Sequence, residues 1–404
     1  MRRLSLCVAL VCLLAACSRP GSVPPPNAQQ QPPAITITLL AFGRSAALEA
    51  VVGKFQRTHP DIRVQVEYAP TDTRPRLSYL TDRLRRGGID VVQVDNLGHA
   101  LIVQGLLLPL NDRIERSRLD LAPFGFLLNG LSLNNRLYQL PLAIYPEMLV
   151  YNPDLFAAAG VTPPPADGWT WEQFRETARL LARGEGENRV WGFSAPVVEN
   201  LVRIHLQQER DEDATAATTP DELASALAFF GRMLHPDRSI PPVEPRDWQN
   251  PGLVTLARND FAEGRAAMSL DAVPFGRYTG PTFRWEVAPM PSPSGRPAAE
   301  YVSAVSGAIA SASAHPAEAW EFLRFATGPE GAVVLAGAGE LPAYNTPTVR
   351  AAWFARTQPP PRSTEILFKS IWLAVPQVDP DAPSTAAAFN NAVNRALTGQ
   401  VPTP

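Results

Sequence analysis

The order of apolar patterns along the chain predicts an α/β fold, in which an open parallel sheet is covered by helices on both faces. Residues 35–41 and 89–94 are apolar runs typical of buried strands, and residues 62–68 alternate apolar and polar with a period of two. Segments with helical spacing separate these three runs. A strand–helix–strand–helix–strand order favours parallel strands joined by crossover helices.

The two helices of this unit have clear boundaries. The first is predicted to begin after Ser45, which can cap its amino end, and to end at Pro60, with Leu48, Val52 and Phe55 on its apolar face. The second carries leucines at positions 77, 80 and 84 and ends at a glycine pair. Each helix therefore has one apolar stripe that can pack on the sheet.

Three later helices are marked by their first residues. Thr170 with Gln173, and Thr219 with Glu222, have the spacing of capping boxes, and Pro316 suits a first helical position. The strand candidates between and after these helices are residues 148–151, 191–195, 266–270, 285–288 and 302–309. Strands and helices thus continue to alternate over the rest of the chain.

The first residues have the composition of an export signal. Arg2 and Arg3 precede a short apolar run that ends in Leu-Ala-Ala-Cys at residues 14–17. This run is shorter than the ~20 residues that a membrane-spanning helix needs. Its end resembles the bacterial lipobox, which implies that residues 1–16 are a signal peptide and that Cys17 is lipidated. A plain signal peptide with an incidental cysteine is the alternative.

Cysteine usage agrees with export. The other cysteines, Cys7 and Cys12, lie in the predicted signal peptide, so the mature chain would have neither a disulfide nor a thiol for catalysis or metal binding. Residues 17–33 are a Pro/Gln-rich tether that could reach roughly 50 Å at ~3.1 Å per residue. We therefore expect a folded domain that is lipid-anchored to a membrane of the cell envelope, on its periplasmic or extracellular face.

Composition and motifs exclude several classes of function. The 404 residues are 45% hydrophobic, which rules out intrinsic disorder, and a net charge of −3 leaves no basic footprint for nucleic acid. The sequence contains no His-x-x-x-His, Gly-x-Ser-x-Gly or nucleotide-binding glycine motif, and we expect no metal and no cofactor. Paired carboxylates of the glycoside hydrolase type are assembled in space, so motif spacing does not test them.

Four sequence blocks, in order and at suitable separations, resemble family 1 of the extracellular solute-binding proteins, the maltose-binding-protein-like group. They are IDVVQVDNLGHALIVQGLLLPL at 89–110, VYNPDLFAAAGVTPPPADGWTWEQF at 150–174, FAEGRAAMSLD at 261–271, and the segment 306–347, which contains AWEFLRF and GELPA. Each block alone is a weak signal. Four in order are a strong one, and the resemblance spans about residues 34–400, essentially the whole mature domain.

The resemblance implies a type II periplasmic-binding-protein-like fold, with two α/β lobes joined by a hinge that the chain crosses several times. Lobe one would contain residues 34–146 and 301–344, and lobe two residues 147–300 and 345–404. It further implies a monomer that is not an enzyme. Such a protein captures a small-molecule solute and delivers it to the permease subunits of an ATP-binding cassette importer.

Ligand sites in open α/β sheets lie beyond the carboxyl ends of the strands, so the residues that follow each strand, together with those at the predicted crossings, are the candidates. The ligand-binding candidates are Phe42, Arg44, Asp95, Asn96, Tyr145, Glu147, Glu199, Asp271, Phe275, Arg277, Tyr344 and Trp372. Some of them have a structural alternative: Phe42 and Phe275 could belong to the core, and Asp95 could cap the helix that follows it.

This mixture of side chains suits a carbohydrate. Carboxylates, guanidinium groups and amides can bind vicinal hydroxyls, and an aromatic ring can stack on the C–H face of a pyranose. The alternatives are a non-sugar solute, such as a glycerol phosphate ester, a polyamine or an iron chelate, an exported glycan hydrolase, and a sensory or scaffold role. Arg44, Arg203 and Arg277 in the cleft would favour an anion, whereas a ring of carboxylates would favour a polyamine.

Overall fold

A computed structural model of the chain describes residues 34–70, 76–95, 97–195, 197–209, 218–245, 260–272, 283–295, 301–356, 375–376 and 382–400. Its strands are β1 (Ile35–Ala41), β2 (Ile62–Tyr68), β3 (Val91–Val94), β4 (Ser132–Leu133), β5 (Arg136–Leu137), β6 (Gln139–Tyr151), β7 (Trp191–Ser194), β8 (Ala266–Ala272), β9 (Glu286–Ala288), β10 (Tyr301–Ile309) and β11 (Val375–Pro376).

The described helices surround these strands and confirm the α/β class. They are α1 (Ala46–Thr58), α2 (Arg76–Arg85), α3 (Gly98–Val103), α4 (Asn111–Ser117), α5 (Pro153–Ala159), α6 (Trp171–Leu181), α7 (Val198–Glu209), α8 (Pro220–Leu234), α9 (Pro316–Thr327), α10 (Pro329–Gly337), α11 (Pro347–Arg356) and α12 (Ala382–Leu397). Residues 122–131 form a 3-10 segment. Among the described residues, no helix is both long enough and apolar enough to cross a bilayer.

The main sheet has the strand order β2-β1-β3-β10-β6-β8-β7. Strand β1 runs parallel to β2 and β3, as the sequence predicts, whereas β10 is antiparallel to both β3 and β6. The parallel arrangement predicted from the first three strands is therefore confirmed, and the sheet as a whole is mixed. Apolar patterning shows that a strand is buried, but it does not encode the direction in which the strand runs.

Strand β6 is the connecting element of the sheet. Its residues 139–146 pair with β10, whereas residues 147–151 pair with β8 and residues 149–151 also pair with β9. The partner change falls between Pro146 and Glu147. The sequence predicted a strand only over 148–151, because residues 141–147 were assigned to the first crossing of the hinge. The pairing register shifts opposite Pro141, where a ladder irregularity accommodates a residue without an N–H group.

The apolar core follows the alternating faces of β6. Met148 and Val150 belong to a cluster that also contains Phe55 of α1 and Trp320 of α9. Leu149 and Tyr151, on the opposite face, belong to a second cluster formed with α6, α7, α8 and α12. A third cluster lies around β3 and α3. One strand therefore contributes to cores on both sides of the sheet.

The predicted helix starts are confirmed in atomic detail. The Ser45 hydroxyl accepts a hydrogen bond from the Leu48 N–H at 3.4 Å. Both capping boxes, at Thr170 and at Thr219, form their two reciprocal bonds. These caps satisfy amide groups that no carbonyl within the helix can reach.

Candidate functional site

The carboxyl ends of β1 and β3 lie at one edge of the sheet, because the two strands run parallel. Val94, the last residue of β3, lies opposite Ser306 of β10. From there β10 continues beyond the edge to Ser303, which pairs with Tyr145 of β6. The segment of β6 just before its partner change therefore extends past this edge.

Strands from the other half of the sheet reach the same place. Strand β8 ends at Ala272, which pairs with Glu147, and β7 runs parallel to β8. The carboxyl ends of strands on both sides of the partner change thus converge at residues 146–147. This is the position at which open α/β sheets bind ligands. We call it the crossing site.

Phe42 and Asp95 meet at this edge through a residue that the sequence analysis missed. The Arg76 guanidinium carbon lies 3.7 Å from the centre of the Phe42 ring, and an Arg76 Nη atom lies 2.9 Å from the Asp95 Oδ2 atom. Asp95 also accepts a bond from the Leu97 N–H at 3.2 Å, so it shapes the turn into α3 as well. The three side chains come from the end of β1, the start of α2 and the end of β3.

Arg44 has a more exposed position. Its side chain is 80% exposed, lies 3.5 Å from a carboxylate oxygen of Glu49, and has its guanidinium 4.9 Å from the Tyr68 ring centre. The Tyr68 hydroxyl donates to the same carboxylate. Burial and the Glu49 carboxylate raise the pKa of Tyr68. Arg44 therefore lies beside the site with its charge already matched.

Tyr145 links β6 to the last predicted crossing of the chain. Its hydroxyl donates to Glu340 Oε2 at 3.1 Å. Beside this pair, the segment from Leu341 to Ala343 forms main-chain bonds with β6 at Leu142 and Ile144. Burial raises the pKa of Tyr145 far above its ordinary value, and burial also raises the pKa of Glu340, against the opposing effect of the Tyr145 hydrogen bond.

Two candidates are buried in the packing rather than exposed at the site. Tyr344 is 7% exposed, its ring packs edge-on against Phe124 at 5.3 Å, and burial raises its pKa. Glu199 is fully buried and accepts a bond from the Asn394 amide at 3.1 Å. The expectation that these two side chains face a solute is not supported, because neither is open to solvent in this structure.

A recess lies at the carboxyl end of β7. Its empty space, counted together with the part that is open to solvent, is about 430 Å³. Ser194 lines it and donates from its hydroxyl to the buried Asp260 carboxylate at 3.0 Å. The lining residues are Phe193, Ser194, Ala195, Val198, Ile240, Pro241, Pro242, Val243 and Glu244. The sequence analysis did not identify the loop at 240–244, because its proline-rich pattern matches no binding motif.

The remaining candidates divide into two groups. Glu147 and Asp271 lie on paired strands at the crossing site, and only their backbone is described. Asn96, Phe275, Arg277 and Trp372, together with the lipidation candidate Cys17, lie outside the described residues. The anion candidate Arg203 donates to Asn390 of α12 at 2.9 Å and lies over the Phe389 ring, so it takes part in helix packing.

Comparisons with known proteins agree with this architecture. A crystal structure of a sugar transporter from Rhizobium etli, in an open conformation, superposes with a TM-score of 0.76; the two are 24% identical, and the match covers 92% of this chain and 96% of that one. This likeness, and others of the same kind, show the type II periplasmic-binding-protein-like fold.

Two relatives resemble the chain in sequence. An uncharacterized lipoprotein in the oleD 5′ region of Streptomyces antibioticus is 26% identical over 370 residues, which cover 83% of this chain and 74% of the relative. A mannitol-binding protein of Pseudomonas aeruginosa is 27% identical over 279 residues, which cover 66% of this chain and 60% of the relative.

The family follows from a profile match. Residues 42–333 match the profile of bacterial extracellular solute-binding proteins, a stretch that includes β3, β6, β8 and β10 and so the whole crossing site. The four sequence blocks that suggested this family all begin within or next to that stretch. The chain is a member of the bacterial extracellular solute-binding protein family.

Proposed function

We propose that this solute-binding protein captures a neutral carbohydrate, a sugar or a sugar alcohol, at the crossing site and delivers it to the permease of an ATP-binding cassette importer. The observation that carries the proposal is the partner change of β6 between Pro146 and Glu147. Strand ends from both sides converge there, so a solute bound at this point can contact two lobes at once. Such contact favours the closed arrangement, because the solute gains interactions in it.

The described side chains have the chemistry that a carbohydrate needs. Phe42 offers a half-buried aromatic ring, Asp95 a carboxylate and Tyr145 a hydroxyl group, all near one edge of the sheet. Rings stack on the C–H faces of sugars, and carboxylates accept hydrogen bonds from vicinal hydroxyls. The mannitol-binding relative and the sugar transporter of the same fold support this solute class.

The proposal also includes the residues and segments that the structure leaves open. Asn96, Glu147, Asp271, Phe275, Arg277 and Trp372 remain ligand-binding candidates, and the lobes are proposed to divide after residues 146, 300 and 344. Cys17 is proposed to carry the lipid that holds the protein at the cell envelope, and the lipoprotein of Streptomyces antibioticus supports this. No bond of the solute is made or broken.

A thermal-shift screen tests the proposal. A solute that binds the native state raises Tm. At a solute concentration of a hundred times Kd, binding adds about 2.7 kcal/mol to the free energy of unfolding. We expect a rise with one or more of glucose, mannose, maltose, mannitol and ribitol, and none with glycerol 3-phosphate, spermidine or ferric citrate. A rise with a phosphate ester, a polyamine or an iron chelate alone would contradict the carbohydrate assignment. Turnover of a glycan, lost in Asp95→Asn, would contradict the binding role.

A further inference from the structure

We propose that Arg76 determines the charge preference of the solute site: by neutralising Asp95 it makes the lobe-one wall favour a neutral solute over charged analogues of the same shape. The inference rests on the proposed carbohydrate site and adds to it the residue that selects for charge. Neither the family match nor the relatives assign a role to Arg76.

Arg76 is held by two interactions in a fixed place. Its guanidinium carbon lies over the Phe42 ring, 3.7 Å from the ring centre, and one of its Nη atoms forms an ion pair with Asp95 at 2.9 Å. The planar group can do both, because stacking uses its face and ion pairing uses its N–H edge. The three residues therefore form one group of contacting side chains, which we call the Arg76 unit.

The Arg76 unit is accessible as well as ordered. The side chain of Arg76 is 41% exposed and that of Asp95 is 22% exposed. Asp95 follows β3 directly, and Phe42 follows β1, so the unit is at the carboxyl edge where the crossing site lies. A solute at this edge would therefore meet a wall whose charges are already paired.

A second cation near this edge is paired as well, because Arg44 faces Glu49. The Glu340 carboxyl group accepts a hydrogen bond from the neutral Tyr145 hydroxyl, and burial raises its pKa, which favours its uncharged form. A phosphate or carboxylate solute would have to compete with Asp95 for Arg76, and an ammonium group would have to compete with Arg76 for Asp95. A neutral polyhydroxyl solute competes with neither.

Removing one member of the ion pair should change the preference in a defined direction. Arg76→Gln leaves the Asp95 carboxylate without its cation, so the wall becomes negative and a cationic solute is favoured. Asp95→Asn leaves the guanidinium without its anion and favours an anionic solute. The double variant restores a neutral wall. Loss of packing alone would weaken the binding of all solutes together. It would not produce opposite changes in charge preference in the two variants.

The test measures affinities by calorimetry at low ionic strength for two matched series: glucose, glucosamine and glucuronate, and mannose, mannosamine and mannuronate. In Arg76→Gln we expect the affinity for the amino sugar, relative to that for the neutral sugar, to rise about five- to tenfold. The relative affinity for the uronate should fall by the same factor. Asp95→Asn should give the reverse, and the double variant the wild-type order. Arg83→Gln is the control, because it removes a similar ion pair, with Glu67 at 2.6 Å, further along α2.

Each outcome decides between the claims. If the wild-type protein binds none of the five neutral sugars and sugar alcohols of the thermal-shift screen, the proposed carbohydrate function fails, and this inference fails with it. If it binds a neutral sugar but the amino-to-uronate ratio is the same in wild type, Arg76→Gln and Arg83→Gln, the inference alone is overturned. If Asp95→Asn binds none of the sugars, the amino-to-uronate affinity ratio in Arg76→Gln, compared with wild type, decides whether the inference holds.

Discussion

Gly192 has no side chain because β7 passes directly against α6 at this residue. A Cβ atom built on Gly192 would lie 2.6 Å from the Cα of Ala178 and would overlap the carbonyl of the same residue. The obstacle is helix backbone, which cannot rotate away as a flexible side chain can. Strand β7 ends two residues later at Ser194, which lines the recess, so this close approach positions the strand end that reaches the recess.

We therefore expect Gly192→Ala to destabilise the protein by about 3 kcal/mol, near the upper end of the range for overpacked cores. Unfolding in urea, followed by circular dichroism, measures this. Gly53→Ala is the matched control, because its Cβ would meet only the flexible end of Arg57 at 3.5 Å within α1. That variant should be as stable as wild type or more stable by ~0.5–1 kcal/mol. Equal stability of the two variants would refute the packing argument.

His205 gives a pH dependence at the residue scale. Its ring stacks on Trp171 at 4.8 Å, with Phe229 and Phe230 edge-on, and the nearest charged partner is Glu209 at 3.8 Å. Burial among these rings lowers the pKa of His205 below its ordinary value of 6.5. The unfolded chain therefore binds more protons than the native protein in the window below about pH 6.5.

It follows that the free energy of unfolding should fall as the pH is lowered from about 7 to about 5. His205→Phe keeps a ring in the aromatic cluster and removes the titrating group, so its stability should vary less with pH over this window. Urea denaturation of both proteins at half-unit pH intervals compares the slopes. Parallel curves for wild type and His205→Phe would show that another group is responsible.

At the scale of elements, β6 shows both the power and the limit of sequence patterns. The helix caps at Ser45, Thr170 and Thr219 were predicted to the residue, because capping depends on side chains within one turn. The full length of β6 was not predicted, because its first half contains two prolines and its pairing depends on β10, which lies about 160 positions later in the sequence. Strand direction and partner choice are tertiary properties.

Tyr145 and Glu340 join β6 to the segment that follows α10. Tyr145→Phe removes the hydroxyl donor and leaves a half-buried carboxylate without it. We expect a loss of about 1–3 kcal/mol in unfolding free energy and a further rise in the pKa of Glu340, since the lost bond lowers that pKa in wild type. Urea unfolding and carbon NMR of labelled Glu340 measure the two effects.

Glu340→Gln is the control for this pair, because its amide oxygen can still accept from the Tyr145 hydroxyl while the charge is gone. It should retain more of the stability than Tyr145→Phe does. If Tyr145→Phe matches wild type in both stability and the Glu340 titration, the hydrogen bond does not hold these elements together.

For the molecule as a whole, the sequence located one side of the site better than the other. The rule that sites follow the carboxyl ends of strands gave Phe42 and Asp95 as candidates, and the predicted first crossing gave Tyr145. Arg76 and Glu340 were missed, because they reach the site only through the packing of α2 and of the segment after α10. Glu199 was misjudged because α12, almost 200 positions later, covers it. Local sequence patterns identify the ends of strands. The side chains that surround those ends come from segments that are far away in the sequence.

The proposed closing motion predicts a distance change between the two lobes. Val103 of α3 is 66% exposed and Leu180 of α6 is 50% exposed, so cysteines carrying spin labels can replace them. With Cys7, Cys12 and Cys17 changed to serine, the labels are unique. We expect a bound neutral sugar to shorten the distance between the two spin labels, as measured by pulsed electron paramagnetic resonance.

The control pair for this measurement lies within one proposed lobe. Ile35, which is 38% exposed at the start of β1, replaces Leu180 as the second labelled position. Its distance to Val103 should stay constant on addition of the same sugar. Equal changes in both pairs, or no change in the first pair with a bound sugar, would contradict rigid-body closure.

The continuity of β6 has a mechanical consequence. A connection without regular structure would restrain the two proposed lobes only weakly. Strand β6, in contrast, is hydrogen-bonded to β10 before its partner change and to β8 after it. Rotation must be absorbed as extra twist in an extended ribbon that already twists to the right. In the proposed closing motion, solute binding would therefore increase the twist of β6. Release of the solute would let the strand return to its original twist and reopen the two lobes.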